Sequence, residues 1–118
     1  MLINFSNHPS ECWGQKQLEA AKVYGEIIDI PFPTVDPKAN YEDIKALADQ
    51  YVQELMARTE NQQVTVHIMG EMTFCFIVVS RLKGMGIECI ASTTIRDAEM
   101  TEDGKKVSDF KFVRFREY

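Results

Sequence analysis

The sequence predicts one α/β domain, a Rossmann-like three-layer sandwich in which helices cover both faces of a mostly parallel, five-stranded sheet. Short apolar runs alternate with stretches of helical periodicity, which is the pattern of repeated strand-helix-strand units. The last two apolar runs are joined by a hairpin signal, so one edge strand is expected to be antiparallel. No repeat or linker divides the chain, and we expect residues 1–118 to form a single domain with one core.

The first third of the chain is predicted to contain a strand, a helix and a second strand. The apolar run 2–5 ends in the turn-forming residues SNHPS at 6–10, which predicts a short strand followed by a loop. Apolar residues recur at helical spacing over 11–24, and Gly25 is a natural end for this helix. The isoleucine-rich run 27–30 predicts the second strand, because two prolines soon after it prevent further pairing.

The middle of the chain carries the clearest helix and the most buried strand. Asn40 is a suitable N-cap, with Asp43 three residues later, and apolar residues then recur at i, i+3 and i+4 as far as Leu55. The β-branched run 64–69 that follows is closed by Gly70 and predicts a central strand.

A third helix is predicted from Met72 to Leu82, and it is apolar on nearly every side. Its length and the ending SRLKG favour a helix over a strand. A helix that is apolar all round needs cover on all sides. In so small a domain we expect part of that cover to come from a second copy of the chain, so residues 72–83 predict a homodimer interface.

The chain ends in two strands, predicted over 87–95 and 107–115 and joined through Asp103-Gly104. Right-handed crossovers then favour the strand order 2-1-3-4-5, with the fifth strand antiparallel to the fourth. Strict alternation would place an odd mixture of side chains on one face of the last strand: Phe110, Phe112, Arg114 and Arg116. A bulge, or a ligand or subunit contact by Arg114, would resolve that mixture.

Composition argues against several classes of protein. A net charge of −5 disfavours binding to long nucleic acid, although a local basic pocket could still hold a small anionic ligand. Three cysteines without a CxxC pair are typical of a reducing compartment, so we expect a cytoplasmic protein. No apolar run is long enough to span a membrane, and no spacing of ligands predicts a metal or other cofactor. Cys75 and Cys89 are expected in the core, which makes a thiol enzyme improbable.

Polar residues are expected where three of the predicted strands end. In open parallel sheets, ligands bind beyond the carboxyl ends of the strands, which lie along one edge. The residues concerned are Ser6, Asn7 and His8 after strand one, Gly70, Glu71 and Thr73 after strand three, and Ser92, Thr93, Thr94 and Arg96 at strand four. The sequence therefore predicts that these three groups form one pocket rim.

These residues also have structural interpretations. The Gly70 turn leads into a helix whose N-terminus attracts anions, so a phosphate could bind there, yet Glu71 would repel a phosphate placed too near. Equally, Gly70 permits a tight turn that Thr73 caps. His8 is suited to titrate near neutral pH or to contact a phosphate, unless its loop serves only as a turn. His67 lies among valines and isoleucine, and we expect it in the core or at an interface.

Four features resemble small CRISPR-associated proteins of the CARF-like, ring-nuclease type. They are the opening Leu2-Ile3-Asn4-Phe5-Ser6-Asn7-His8-Pro9, the βα unit after it, the apolar strand-turn-helix around Gly70, and the closing β-hairpin. Together they span most of the chain.

The resemblance implies a homodimer that binds a cyclic oligoadenylate messenger across its two-fold axis, in type III CRISPR defence. Such proteins cut the ring without metal, by attack of a ribose 2′-hydroxyl on the adjacent phosphorus. The implied catalytic residues are His8, Arg96 and Glu71, and the implied ligand-binding residues are Ser6, Asn7, Gly70, Thr73, Ser92 and Thr94. Glu71 departs from a simple anion site, and it would have to face the ribose or adenine, or act as the base.

Two other functions fit the same residues. In the first, the pocket binds a nucleotide as a sensor and nothing is cut. In the second, the domain is a small scaffold whose apolar helix docks another protein.

Overall fold

The computed structural model describes the backbone of residues 1–118 and every side chain except those of Glu99, Val107 and Ser108. The strands are β1 (Leu2–Ser6), β2 (Ile27–Asp29), β3 (Thr65–Met69), β4 (Glu88–Met100) and β5 (Lys106–Glu117). The α-helices are α1 (Gln15–Ala21), α2 (Tyr41–Thr59) and α3 (Met72–Gly84). Short 3-10 turns at Ser10–Cys12 and Lys22–Tyr24 flank α1.

The sheet has the order β2-β1-β3-β4-β5, and every pair is parallel except β4 with β5. The chain leaves β1 through α1 to reach β2 on one side, and it then crosses through α2 to β3 on the other side. α1 covers one face of the sheet, whereas α2 and α3 pack together on the opposite face. The predicted fold class and strand order are therefore confirmed. The place where the crossovers diverge, between β1 and β3, is the switch point at which such sheets bind ligands.

Two apolar clusters join the three layers. The larger lies between the sheet and the α2–α3 pair, where the fully buried rings of Phe5 and Phe74 have centroids 6.0 Å apart. The smaller lies under α1 and contains Leu2, Trp13 and Phe115. Because both faces of β1 are covered, its continuous apolar run is the pattern expected of a buried parallel strand.

The N-terminus of α2 is capped as predicted. The Asn40 side chain accepts a hydrogen bond from Asp43 N (3.0 Å), and the Asp43 carboxylate accepts one from Asn40 N (3.2 Å). These reciprocal bonds satisfy two backbone donors that the helix itself cannot pair.

The prediction of one continuous helix over 11–24 is wrong. Only Gln15–Ala21 is α-helical, because the backbone is extended at Trp13, and this turns the indole into the smaller cluster. Ala21 is buried as expected, but Val23 is 83% exposed. Gly25 ends the segment with a φ of 91°, in the region that favours glycine.

β4 and β5 continue past the rest of the sheet as a two-stranded hairpin. β4 pairs with β3 only as far as Ile90, whereas its pairing with β5 extends to Met100. The prediction that strand four ends at residue 95 is therefore wrong, because the two hairpin strands satisfy each other's backbone groups without a third strand. The predicted turn is confirmed, with Gly104 at a φ of 78° and Gly104 N donating to Thr101 O (2.9 Å).

A β-bulge at Val113 resolves the mixed face of the last strand. Phe112 and Arg114 pair with adjacent residues of β4, so Val113 between them has no partner. The extra residue brings Phe112 and Phe115 onto the same face, with ring centroids 5.0 Å apart, and turns Arg114 to the other face.

Candidate functional site

The ends of β1 and β3 lie side by side at the switch point. Their pairing continues one residue past β1, because Asn7 N donates to Met69 O (3.3 Å). Ser6 is buried here, whereas Asn7 and His8 are exposed. The structure thus brings two of the three predicted groups together, namely the residues after β1 and the turn that begins at Gly70.

A chain of hydrogen bonds crosses four strands close to these ends, on the face covered by α1. Asp29 on β2 accepts a hydrogen bond from Asn4 Nδ2 on β1 (2.7 Å). Asn4 Oδ1 lies 2.9 Å from His67 Nδ1 on β3, and His67 Nε2 lies 2.8 Å from Ser92 Oγ on β4. Gln17 on α1 donates from Nε2 to the same Ser92 Oγ (3.1 Å). We call these five residues the polar relay.

The partners of Asn4 fix the direction of the protons in the polar relay. Asn4 Nδ2 also donates to the His8 carbonyl (3.0 Å), so the amide oxygen of Asn4 must be the atom that faces His67. His67 therefore donates from Nδ1, and its Nε2 accepts a hydrogen bond from the Ser92 hydroxyl. Every donor points from α1 toward the carboxylate of Asp29, an arrangement in which each hydrogen bond polarises the next.

Burial keeps the imidazole of His67 neutral. His67 is 2% exposed, and the rings of Trp13 and Phe115 lie 5.2 Å and 5.5 Å from it. Desolvation, with a smaller contribution from the charge of His8, lowers the pKa of His67 to about 4. The prediction that His67 lies in the core is confirmed. In addition, both of its ring nitrogens are hydrogen-bonded, so the ring is held in one orientation.

At the other end of the polar relay, Asp29 stays ionised. Desolvation raises the pKa of its carboxyl, but hydrogen bonds outweigh this effect and hold the pKa below its usual value. The donors are Ser10 Oγ (2.5 Å), Asn4 Nδ2 (2.7 Å) and Ser10 N (3.1 Å). A negative charge therefore lies at the acceptor end of the relay.

The loop that carries His8 is held through its backbone. The His8 carbonyl accepts hydrogen bonds from three side chains, those of Asn4 (3.0 Å), Ser6 (3.1 Å) and Trp13 (3.1 Å). The hydroxyl of Ser6 also lies 2.7 Å from Asn4 Oδ1, and its single proton can be donated to either of these two acceptors. Ser6 thus supports the loop, while the exposed His8 ring lies where a ligand could contact it.

Gly70 is required for space. A Cβ at this position would lie 2.3 Å from Cζ of Phe32, whose ring packs with its centroid 5.3 Å from that of Phe74. Gly70 does not have a positive φ. The missing side chain therefore lets the ring of Phe32 lie against the backbone of Gly70. The sequence predicts only that Gly70 permits a tight turn.

Glu71 occupies the N-terminus of α3. Its carboxylate accepts hydrogen bonds from Phe74 N (2.8 Å), Thr73 N (3.1 Å) and the Thr73 hydroxyl (2.7 Å). These bonds, first that from Phe74 N, hold the pKa of Glu71 below its usual value. The prediction that Thr73 caps the helix is wrong, because Glu71 is the cap and Thr73 supports it. A phosphate at this turn would have to displace the carboxylate of Glu71, which the helix N-terminus already binds. The ligand contact that the resemblance implies for Thr73 stays a prediction.

Thr94 and Arg96 lie away from the strand ends. Both are on the same face of β4 as Ser92, but they belong to the hairpin, and Arg96 pairs with Phe110. Arg96 is four residues beyond Ser92, about 13 Å along the strand. The prediction of one rim formed by three groups is therefore wrong for this part of β4, because the strand continues past the ends of its parallel neighbours. Of this group, Ser92 alone is a member of the polar relay.

The helix α3 presents apolar side chains to solvent beside the strand ends. Met72 is 82% exposed and Phe76 is 75% exposed. Both line a cavity of about 310 Å³ that reaches Gly70, and a second cavity of about 440 Å³ that Tyr41 also lines. We call Met72, Phe76 and Tyr41 the α3 surface.

Four members of the polar relay were not predicted as site residues: Asn4, Asp29, Gln17 and His67, the last of which was expected in the core or at an interface. One signal could have found Asn4, because an amide inside a buried apolar run must have hydrogen-bond partners. Asp29 is its partner in register on the neighbouring strand. Gln17 lies between exposed neighbours, so nothing local indicates that it is buried.

Cys75 and Cys89 are buried as predicted. Burial raises the pKa of the Cys75 thiol to about 12 and that of the Cys89 thiol to about 11. Leaving aside the side chains of residues 99, 107 and 108, no three histidine, cysteine, aspartate or glutamate residues are grouped so that they could hold a metal ion. Over the same described residues, no helix has the length and apolar character needed to cross a membrane.

Comparisons with known proteins place the chain in one family. No curated protein and no solved structure matches it. One family model matches residues 1–116, which is nearly the whole chain. The chain therefore belongs to the family described as the Uncharacterized protein MJ1673 family.

Proposed function

We propose that this domain binds a small cyclic oligoadenylate at its strand ends and opens the ring without a metal, by attack of a ribose 2′-hydroxyl. The observation that carries the proposal is the meeting of β1 and β3 at the switch point, where exposed Asn7 and His8 lie beside a buried polar relay. Open parallel sheets bind nucleotides at such a point. The choice of a cyclic oligoadenylate and of CRISPR defence follows from the resemblance of the sequence, and the cytoplasmic setting follows from its three cysteines without a CxxC pair.

Two copies of the chain would bind one ligand. The α3 surface begins at Met72, directly after the turn at Gly70, and Phe76 continues it one helical turn later. Burying this surface in a dimer removes apolar area from water. It also brings the strand ends of both copies toward one two-fold axis, which matches the symmetry of a ring of identical nucleotides.

The chemistry requires mainly position and charge. The 2′-hydroxyl must be held in line with the bond that breaks, and the charge on the phosphate must be neutralised. His8 is the exposed imidazole at the strand ends, and Arg96 on the hairpin would supply charge from the side. Because α3 already binds the carboxylate of Glu71, the phosphate is expected near His8 and not at the helix N-terminus.

Incubation of the purified protein with cyclic tetra-adenylate or cyclic hexa-adenylate in EDTA tests this proposal, with the products separated by chromatography. His8→Ala and Arg96→Ala are compared with Lys16→Ala, which removes an exposed cation on α1 outside the site. We expect wild type and Lys16→Ala to cleave alike. We expect the His8 variant to cleave about 100-fold more slowly, which is typical for loss of a hydrogen-bond donor to the reacting phosphate.

The dimer is tested separately by light scattering coupled to size exclusion. Phe76→Glu should give monomers that no longer bind the ring, because it places a charge in the centre of the α3 surface. A wild-type protein that is monomeric and binds neither ring would contradict the proposal.

Binding without cleavage would favour the second candidate, a nucleotide sensor. One observation supports that alternative, because Glu71, a residue to which the resemblance assigns catalysis, is engaged as the cap of α3.

A further inference from the structure

Two members of the polar relay, Asp29 and Ser92, meet solvent. Its inner members are closed off, with His67 2% and Asn4 1% exposed. Asp29 is exposed at one end, and Ser92, next to the buried end member Gln17, is partly exposed. His67 therefore makes one contact, to Ser92 Oγ (2.8 Å), with a residue that is partly exposed and that a molecule bound beyond the strand ends could meet.

Ser92 lies where β3 and β4 separate. Their parallel pairing ends with His67 and Ile90, and Ser92 N then faces Met69 Sδ (3.2 Å) where a carbonyl would otherwise be. Sulfur is a weak acceptor, so this contact holds the two strands together only weakly. The same Met69 accepts a hydrogen bond from Asn7 through its carbonyl, which places Ser92 next to the strand ends that would hold the ligand.

Ser92, His67 and Asn4 have the mutual geometry of a hydroxyl, its base and the group that orients the base. The two contacts, 2.8 Å and 2.9 Å, are within hydrogen-bond reach. Asparagine can orient a catalytic imidazole, as it does in Cys-His-Asn triads. Here the carboxylate of Asp29 is bound to that asparagine, so a positive charge on His67 would be stabilised along the relay.

We infer that Ser92 is the catalytic residue that accepts the proton of the attacking 2′-hydroxyl, and that His67 receives this proton through Ser92. The inference rests on the proposed function and names the base that its chemistry needs. Glu71 is engaged as the cap of α3, and its carboxylate points to the helix instead of the switch point.

The step balances without a further reactant. The 2′-oxygen forms a bond to phosphorus while its proton passes to Ser92 Oγ, and the proton of Ser92 passes to His67 Nε2. The bond between phosphorus and the 5′-oxygen breaks, and a water molecule protonates the departing oxygen. His67 then returns its proton through Ser92 to the hydroxide that remains, which restores water and a neutral imidazole.

A purely structural relay, in which Ser92 only satisfies a buried histidine, would leave the chemistry to other groups. Measuring kcat and the ligand Kd separately distinguishes a catalytic Ser92 from a Ser92 that only hydrogen-bonds His67. Cyclic tetra-adenylate is the probe, and circular dichroism checks that each variant is folded. Ser92→Ala is compared with Ser92→Thr, which keeps the hydroxyl. Thr59→Ala is the matched control, because it removes a half-buried hydroxyl that donates to Met56 O (2.8 Å) at the end of α2.

Ser92→Ala should lower kcat about 100-fold or more, while Kd stays within about threefold of the wild-type value. Ser92→Thr should recover most of the rate, and Thr59→Ala should behave as wild type. Cleavage by Ser92→Ala within about threefold of wild type would overturn the inference and leave the proposed function in place. Absence of cleavage by the wild type would remove both.

If Ser92→Ala does not fold, the pH dependence of wild-type kcat decides. A relay through His67 predicts a kcat that is constant from pH 8 to about pH 5 and falls only as this buried ring is protonated. A fall centred near pH 6.5, typical of an unperturbed histidine, would overturn the inference. Two charged or titratable groups influence the protonation of His67: His8 directly, and Asp29 through Asn4. The other side chains that face this part of the relay carry no charge; they are Trp13, Gln17 and Phe115.

Discussion

Acidification from pH 7 to pH 4.5 should destabilise this protein through His67. In the unfolded chain the imidazole has its ordinary pKa of 6.5, whereas burial lowers the pKa to about 4 in the fold. Between these values the unfolded state binds a proton that the folded state does not, so unfolding is favoured as the pH falls. The stability that neutral His67 contributes is fully present above pH 6.5 and is lost as the pH falls to about 4. Below that pH, His67 causes no further change in the free energy of unfolding. At about 1.4 kcal/mol per pKa unit, the full loss is about 3 kcal/mol, most of it by pH 4.5.

Urea denaturation at a series of pH values between 7 and 4.5 measures this loss. His67→Gln cannot titrate, so its free energy of unfolding should fall by about 2–3 kcal/mol less than that of wild type over this range. His8→Gln, at an exposed position, is the matched control and should keep most of the wild-type loss. Equal losses in wild type and His67→Gln would show that the folded state protonates His67 freely, which would refute its burial as the cause.

Three further results are expected. Gly70→Ala should lower the free energy of unfolding by about 1–3 kcal/mol in urea, because the new Cβ overlaps the ring of Phe32; an unchanged value would show that the ring moves aside without cost. Glu71→Ala should cost about 1 kcal/mol in the same assay through loss of the α3 cap, as Asn40→Ala should for α2, and a variant as stable as wild type would contradict the capping role. Only the exposed Cys12 should react with a thiol-specific disulfide reagent in the native protein, because burial raises the pKa of the other two thiols; fast reaction of all three would contradict that burial.

Features with a local cause could be predicted from the sequence. The capping box at Asn40 depends on two residues three positions apart, and the hairpin turn depends on Gly104 and its neighbours. The same holds for the buried strands, since their apolar runs are continuous. The cap of α3 was assigned to the wrong residue, because a carboxylate at 71 and a hydroxyl at 73 can both reach the free N–H groups, and only their placement in the fold decides between them.

Two features of the hairpin could not be predicted from periodicity. Strict alternation along β5 would place Arg114 on the same face as Phe112, whereas the bulge at Val113 places them on opposite faces. The bulge forms because the packing of Phe115 under α1 outweighs one unpaired backbone position. In the same way, β4 extends past its predicted end because β5 pairs with it as far as Met100.

The sequence by itself determined the fold class and the identity of most buried side chains, since apolar spacing and turn residues act over short stretches of chain. It favoured the observed order of the strands without determining it. Only the tertiary structure decided which polar residues meet. Asp29, Asn4, His67 and Ser92 lie on four strands that are distant in the sequence, and they join because the register of β2, β1, β3 and β4 aligns them across the sheet. Register results from the packing of all the strand and helix faces together, so no local pattern carries it.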